Sequence, residues 1–187
     1  MFVFNRDKVN KAYDAAKEVY AQYGVDTEKV MEEIKKVRIS LHCWQGDDVA
    51  GFESSAGLSG GGIMATGNYP GRARNGAELR QDLNKALSLI PGKHKVNLHA
   101  IYAETDGKPV GRDALTIEHF QNWVAWAGEK GIGLDFNPTY FSHPQADTGY
   151  TLASPDSGIR KYWIEHGKRC REIAAKMGEQ LNTPCVN

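Results

Sequence analysis

Short segments with strand periodicity alternate with longer helical segments along this chain, and this order limits the possible folds more than any other feature. Apolar and polar residues alternate over Val37–Trp44 and Lys95–Tyr102, and Gly133–Asn137 forms a third strand-like segment before a proline. Pro184–Asn187 is typical of a strand that is just beginning. The resulting βαβαβαβ order predicts an α/β fold with a parallel sheet and right-handed crossovers.

Helix signals fill the intervals between these segments. Each predicted helix combines an apolar stripe of helical period with a capping residue or a glycine stop. The predicted helices run from Asn5 to about Tyr23, from Thr27 onward, from Asn75 to Pro91, from Thr116 to Gly128 or Gly131, and over about 155–177 between a Ser154-Pro155 start and a Gly178 stop.

Composition excludes several classes of function. The 187 residues carry 23 basic and 23 acidic side chains, so the formal net charge of zero does not favour a nucleic acid or an anionic membrane as partner. No apolar run approaches the length of a transmembrane span. Cys43, Cys170 and Cys185 are odd in number and far apart, which indicates a reducing cytoplasm rather than a disulfide framework.

The carboxyl end of the first strand is the clearest place to look for a site. Trp44 ends this strand, and Gln45, Asp47 and Asp48 follow it in a glycine-rich connection over 45–74. Parallel α/β enzymes build their sites from loops at the carboxyl ends of strands. A phosphate cradle is not indicated, because no Lys-Ser/Thr pair and no immediate helix follow the three glycines at 60–62.

His99 is the best single candidate for a functional side chain, because it lies near the carboxyl end of the second strand among apolar neighbours. A hydrogen-bonded structural role is the alternative for this histidine. Trp44 is as consistent with a core aromatic residue as with a ring that packs on a sugar, and Phe136 could join it or belong to the ordinary core. Cys43 and His42 are neighbours on a strand and point to opposite faces, so they cannot form a Cys/His nucleophile pair.

Several acidic and histidine side chains could suggest a metal site, but none has a recognised ligand spacing such as His-Glu-x-x-His. Asp135, at a strand end, is the most suggestive of them. The set comprises His42, Asp47, Asp48, Glu53, Glu104, Asp106, Asp135 and His143. We find neither a catalytic triad nor a nucleotide fingerprint, and the residues alone predict no metal ligand.

Five blocks of sequence resemble bacterial L-rhamnose isomerase, in order and with similar spacing. They are His-Cys-Trp-Gln-Gly-Asp-Asp-Val (42–49), Gly-Asn-Tyr-Pro-Gly (67–71), Asn-Leu-His-Ala-Ile-Tyr (97–102), Leu-Asp-Phe-Asn-Pro (134–138) and Phe-Ser-His-Pro (141–144). The similarity runs from about Gly24 to Asn187, whereas family members are more than twice as long. The resemblance therefore implies about half of a TIM (β/α)₈ barrel, a single partial domain with a helical preface over 1–36 and the first βα units over 37–187.

The resemblance also implies a function and a set of roles. It implies a cytoplasmic, homotetrameric aldose–ketose isomerase that interconverts L-rhamnose and L-rhamnulose with two divalent cations, typically Mn²⁺, whose ligands are expected beyond residue 187. The family's matching histidine implies that His99 contacts the sugar, with Ile101 and Tyr102 around its methyl end. The chain alone is expected to be inactive. The alternatives are a non-catalytic carbohydrate-binding or interaction module and a truncation product without stable function.

Overall fold

The computed structural model of the chain describes residues 5–43, 51–53 and 73–182. By its internal contacts the chain divides into two compact units, Met1–Arg38 and Ile39–Asn187. Among the described residues, no helix has both the length and the apolar character needed to cross a membrane.

The first unit contains two helices, α1 (Arg6–Gln22) and α2 (Thr27–Ile34). Asn5 caps α1 as predicted, because its side-chain oxygen accepts the backbone N–H of Lys8, and Asp26 caps α2 in the same way. Neither helix contains a buried residue. The predicted helices are therefore present, but their apolar stripes are not buried.

The second unit contains the parallel sheet, with strand order β1-β2-β3 for β1 (Ser40–His42), β2 (Lys95–His99) and β3 (Gly133–Asn137). The register pairs His42 with Asn97 and His99 with Asn137, so the carboxyl ends of β2 and β3 are level. The predicted parallel α/β arrangement is confirmed for these strands. The predicted fourth strand at Pro184–Asn187 lies outside the described residues.

Two predicted strands are longer than the observed ones. Val37 lies in the turn that follows α2, where its N–H donates to Ile34, and β1 begins only at Ser40. The neighbouring strand β3 ends at Asn137, before a proline. The residues after His99 therefore have no partner in β3, and β2 ends there. Residues Ala100–Tyr102 coil instead into a 3₁₀ turn.

The described part of the second unit contains three α-helices: α3 (Gly76–Leu89), α4 (Gln121–Lys130) and α5 (Ser157–Leu181). Asn75 caps α3 as predicted, and the Glu78 carboxylate accepts the N–H of Arg74 rather than that of the cap residue. Thr116 caps a 3₁₀ turn, Ile117–Phe120, that continues into α4, and Gly131 ends α4 in the left-handed conformation at φ +63°.

Both predicted ends of α5 are wrong. The helix begins after Asp156, whose carboxylate accepts two backbone N–H groups, and not after the Ser154-Pro155 signal. It continues through Gly178, which is buried, and ends at Asn182, which has the left-handed conformation. A glycine stops a helix only where the backbone turns left-handed, and here the asparagine makes that turn.

The hydrophobic core lies on one face of the sheet. Val96 and Leu98 of β2 and Leu134 and Phe136 of β3 are all buried in a single cluster with side chains from α3, α4 and α5. The Phe136 ring packs edge-on against Phe120 with centroids 5.0 Å apart. Residues of opposite parity, including His42, Asn97, His99 and Asp135, occupy the other face, which we call the polar face.

Candidate functional site

The carboxyl edge of the sheet brings together residues that follow three different strands. His42 ends β1, His99 ends β2, and Thr139 follows β3 by two residues. Parallel strands place their carboxyl ends at one edge, so three distant parts of the sequence meet there. We call this cluster of His42, His99 and Thr139 the histidine cluster.

A chain of short polar contacts runs through the histidine cluster. His42 Nδ1 lies 3.1 Å from His99 Nε2, and the Thr139 hydroxyl lies 3.3 Å from His99 Nδ1. The Asn97 amide nitrogen is 3.5 Å from His42 Nδ1. His99 and Thr139 are fully buried, whereas His42 is partly exposed. The cluster therefore extends from the protein interior towards the surface.

Burial controls the charge of His99. Loss of solvation and, to a smaller extent, the neighbouring His42 together lower the pKa of His99 to about 3. The imidazole is therefore neutral at physiological pH. A neutral imidazole has one N–H donor and one acceptor nitrogen, so its role depends on which nitrogen carries the proton.

Ile101 and Tyr102 belong to the 3₁₀ turn that follows His99 and are buried beneath the short segment 51–53. The Phe52 N–H donates to the Ile101 carbonyl at 2.8 Å, and the Phe52 ring packs edge-on against Tyr102 at 5.0 Å. Gly51 has φ +66°, and a Cβ there would lie 2.6 Å from the Ile101 oxygen. This close approach requires glycine at position 51.

The structure does not bring all predicted site residues together. His99, Ile101 and Tyr102 lie in one continuous segment, but Phe136 lies on the opposite face of the sheet, packed on Phe120. The sugar contact predicted for Phe136 has no support from its described contacts and stays a prediction. Trp44 lies outside the described residues.

A buried arginine joins the connections that follow the three strands. Arg112 is 1% exposed, and its Nε and Nη2 donate to the two carboxylate oxygens of Glu53 at 2.8 and 2.7 Å. Its Nη1 donates to the Thr139 and Phe141 carbonyls, and Nη2 also donates to Ser142. We call this set the Arg112 junction. All five N–H donors of the guanidinium have acceptors, which makes its burial possible.

The described acidic residues do not fit a metal centre. Within the described ranges, no group of three or more His, Cys, Asp and Glu side chains could hold an ion. Glu53 pairs with Arg112, Glu104 with Arg80, and Asp135 with Lys95 at 3.0 Å, so these carboxylates already neutralise basic side chains. Asp47 and Asp48 lie outside the described residues.

Sequence reasoning missed three members of this edge. The sequence places His42 only among side chains without a recognised ligand spacing, yet it ends β1 on the face that carries His99, which the parallel register would have revealed. Arg112 and Thr139 gave no signal, because neither belongs to a periodic segment and Arg112 lies 59 residues from its partner Glu53. Their roles depend on tertiary contacts alone.

Comparison with known proteins matches nearly the whole chain to one family. A sequence profile described as L-rhamnose isomerase (RhaA) matches residues 7–187. The chain is 57% identical over 180 residues to L-rhamnose isomerase of Listeria monocytogenes, which covers 96% of this chain and 43% of that relative. The corresponding enzymes of Rhodopirellula baltica and Salmonella paratyphi B are 54% and 53% identical over 179 residues, with 42% of each relative covered. The chain therefore spans less than half the length of these relatives.

Proposed function

We propose, because this chain belongs to the L-rhamnose isomerase family, that it forms part of an aldose–ketose isomerase that interconverts L-rhamnose and L-rhamnulose. The observation that carries the proposal is the histidine cluster at the carboxyl edge of a parallel sheet. This is the edge at which α/β barrels bind their substrates.

In this proposal, β1 to β3 are the first three strands of a TIM barrel. The parallel strand order and the division of the sheet into an apolar and a polar face support this arrangement. The helices α3 to α5 would lie on the outside of the barrel, and the polar face would line its interior. The histidine cluster would then border the sugar site.

The residues of the chain would bind and orient the sugar. A neutral His99 can take part in hydrogen bonds to uncharged hydroxyl groups without bringing an unpaired charge into the site. Since His99 is fully buried and His42 is partly exposed, a sugar hydroxyl would meet His42 first, with His99 behind it. Ile101 and Tyr102 would cover the methyl end of the sugar, and Trp44 would contribute an aromatic face.

The two Mn²⁺ ions that the family resemblance implies would have their ligands outside the described residues. The proposal assigns them to the part of the family that this chain does not span, since the described carboxylates pair with basic side chains. The chain alone would therefore lack isomerase activity. A homotetramer and a cytoplasmic location complete the proposal, and the buried thiol of Cys170, which forms no disulfide, is compatible with a reducing compartment.

Isothermal titration with L-rhamnose and Mn²⁺, together with an assay of rhamnulose formation, tests the proposal. The chain is measured alone and mixed with a polypeptide that corresponds to the remaining length of the Listeria relative. We expect rhamnulose formation only in the mixture, with His99→Ala as the inactive control. Turnover by the chain alone in Mn²⁺ would show that a complete metal site is present here.

The same experiment separates the isomerase from a non-catalytic carbohydrate-binding module. Such a module would bind L-rhamnose without metal and would not associate with the second polypeptide. If the chain binds no sugar and the mixture forms no rhamnulose, the proposed function is wrong.

A further inference from the structure

The loop after β3 contains two residues in a conformation that their side chains disfavour. Thr139 and Ser142 have φ of +60° and +52°, in the left-handed region, and a β-branched residue is rarely found there. Such conformations persist only where surrounding contacts determine them. Here the carbonyl groups of both residues accept hydrogen bonds from Arg112.

The backbone position of Thr139 decides where its hydroxyl lies. The Thr139 N–H donates to the Asn137 side-chain oxygen at 2.8 Å, and its hydroxyl lies 3.4 Å from the Asn137 carbonyl and 3.3 Å from His99 Nδ1. If the hydroxyl donates to the Asn137 carbonyl, its lone pair accepts the His99 Nδ1–H. The Nε2 of His99 is then an acceptor for the His42 Nδ1–H. In this arrangement the Asn97 amide turns its oxygen, which has no other hydrogen-bond partner among the described residues, towards His42.

From these contacts we propose that Arg112 is a positioning residue: it fixes the loop 138–142 so that the Thr139 hydroxyl holds the His99 imidazole in the Nδ1–H tautomer. Glu53 orients the guanidinium from the opposite side through two hydrogen bonds. The described side-chain hydrogen bonds of Arg112 go to Glu53 and to carbonyls of the loop. Its effect on the site passes through the loop.

The shape of the guanidinium is essential to this role. Its planar fork reaches one carboxylate and three carbonyls at the same time, whereas a lysine ammonium has three donors and no fixed plane. Arg112→Lys therefore keeps the charge but cannot hold the whole loop. Glu53→Gln keeps the shape of the partner but turns an amide N–H₂ group towards the guanidinium donors.

A second ion pair provides a matched control. Arg80 binds Glu104 through two hydrogen bonds of 2.9 and 3.1 Å, and its guanidinium lies over the Trp123 ring at 4.8 Å. This pair is also largely buried, but it has no described contact with the loop 138–142 or with His99. Arg80→Lys therefore reproduces the loss of a forked ion pair without altering the Arg112 junction.

The experiment measures the His99 tautomer directly. The full chain is labelled with ¹⁵N-histidine, and the two ring nitrogens of His99 are assigned at pH 7 with His99→Gln. We expect the parent to carry its proton on Nδ1. Thr139→Val, Arg112→Lys and Glu53→Gln should all move the proton towards Nε2, whereas Thr139→Ser and Arg80→Lys should leave the parent pattern.

If Arg112 had a purely structural role, its substitution would lower stability without changing the tautomer of His99 in the folded protein. An unchanged His99 pattern in folded Arg112→Lys and Glu53→Gln, together with a shift in Thr139→Val, overturns the proposal. If Arg112→Lys does not fold, Glu53→Gln decides alone. A parent that carries the proton on Nε2 also overturns it.

The sugar-binding consequence rests on the proposed function and is measured separately. In titrations of the complemented mixture, Arg112→Lys should weaken L-rhamnose binding by roughly 5- to 10-fold, the equivalent of one hydrogen bond lost from the site. A tautomer shift in a protein that binds no sugar would sustain the positioning role and refute the proposed function. Sugar binding together with an unchanged His99 tautomer would support the proposed function and refute the positioning role of Arg112.

Discussion

Both faces of the sheet contain fully buried residues, but these residues are stabilised in different ways on the two faces. On the apolar face, Leu98 and Phe136 are inaccessible to solvent, and removal of apolar surface from water stabilises them. On the polar face, Asn97 and His99 are at most 1% exposed, and their burial is favourable only where hydrogen bonds replace those to water. The polar face should therefore respond to pH and to loss of a partner, and the apolar face to loss of volume.

The largest effect is expected from truncation on the apolar face. Phe136→Ala should lower the free energy of unfolding by about 3–4 kcal/mol, because it leaves a cavity beside Phe120. Urea denaturation measures this loss, and Phe136→Leu should cost only about 1 kcal/mol. The L-rhamnose affinity of the folded variant should match that of the parent. A selective loss of affinity would instead support the sugar contact predicted for Phe136 from the sequence.

Acidification should destabilise the polar face. The pKa of His99 is about 3 in the folded chain and near 6.5 when unfolded, so the unfolded state binds more protons between these values and stability falls as pH falls. From pH 6.5 to 5 this amounts to about 1.6 kcal/mol for His99 alone. Burial also lowers the pKa of His143 and His166, and these act in the same direction.

Denaturation at several pH values tests the assignment to His99. The stability of His99→Asn should depend less on pH between 6.5 and 5 than that of the parent. Leu98→Ala, which also destabilises but removes no titratable group, should keep the parent's dependence. Equal slopes in the parent and His99→Asn would refute the contribution assigned to this histidine.

The sequence predicted β3 and the helix caps well because their signals are local. Strand β3 has the predicted bounds, and Asn5 and Asn75 cap their helices, since alternation and capping depend on residues a few positions apart. The short β1 was less predictable. Val37 continues the apolar alternation of that segment, but it belongs to the turn after α2 and is exposed.

The polar face was predicted only in part. His99 was identified because a histidine among apolar strand residues is unusual, but its partners His42 and Thr139 come from other segments. The Arg112 junction depends on contacts 27 to 59 residues apart in sequence. No local pattern encodes such contacts, so they require the register and the loop conformation to be known.

A smaller effect is expected at the Lys95–Asp135 pair on the polar face. Lys95→Met should destabilise the chain by about 1–2 kcal/mol, because it leaves a carboxylate that is 8% exposed without its cation. Asp135→Leu in the Lys95→Met background should recover most of this loss. A double-mutant cycle measures the coupling, and strictly additive effects would show that the ion pair does not stabilise the polar face.

The smallest effects are expected where the backbone is left-handed, and they separate strain from hydrogen bonding. Ser142→Gly should raise the free energy of unfolding by about 0.5–1 kcal/mol, because glycine adopts φ +52° without steric conflict and the carbonyl bonded to Arg112 remains. Thr139→Gly relieves more strain but removes the hydroxyl that contacts His99, so its gain should be smaller or absent. Thermal denaturation of both variants compares the relief of backbone strain with the loss of the hydrogen bond to His99. If Thr139→Gly is the more stabilising variant, the backbone strain at position 139 outweighs the Thr139–His99 hydrogen bond. Hydrogen bonds would then contribute less to the stability of the polar face than we propose.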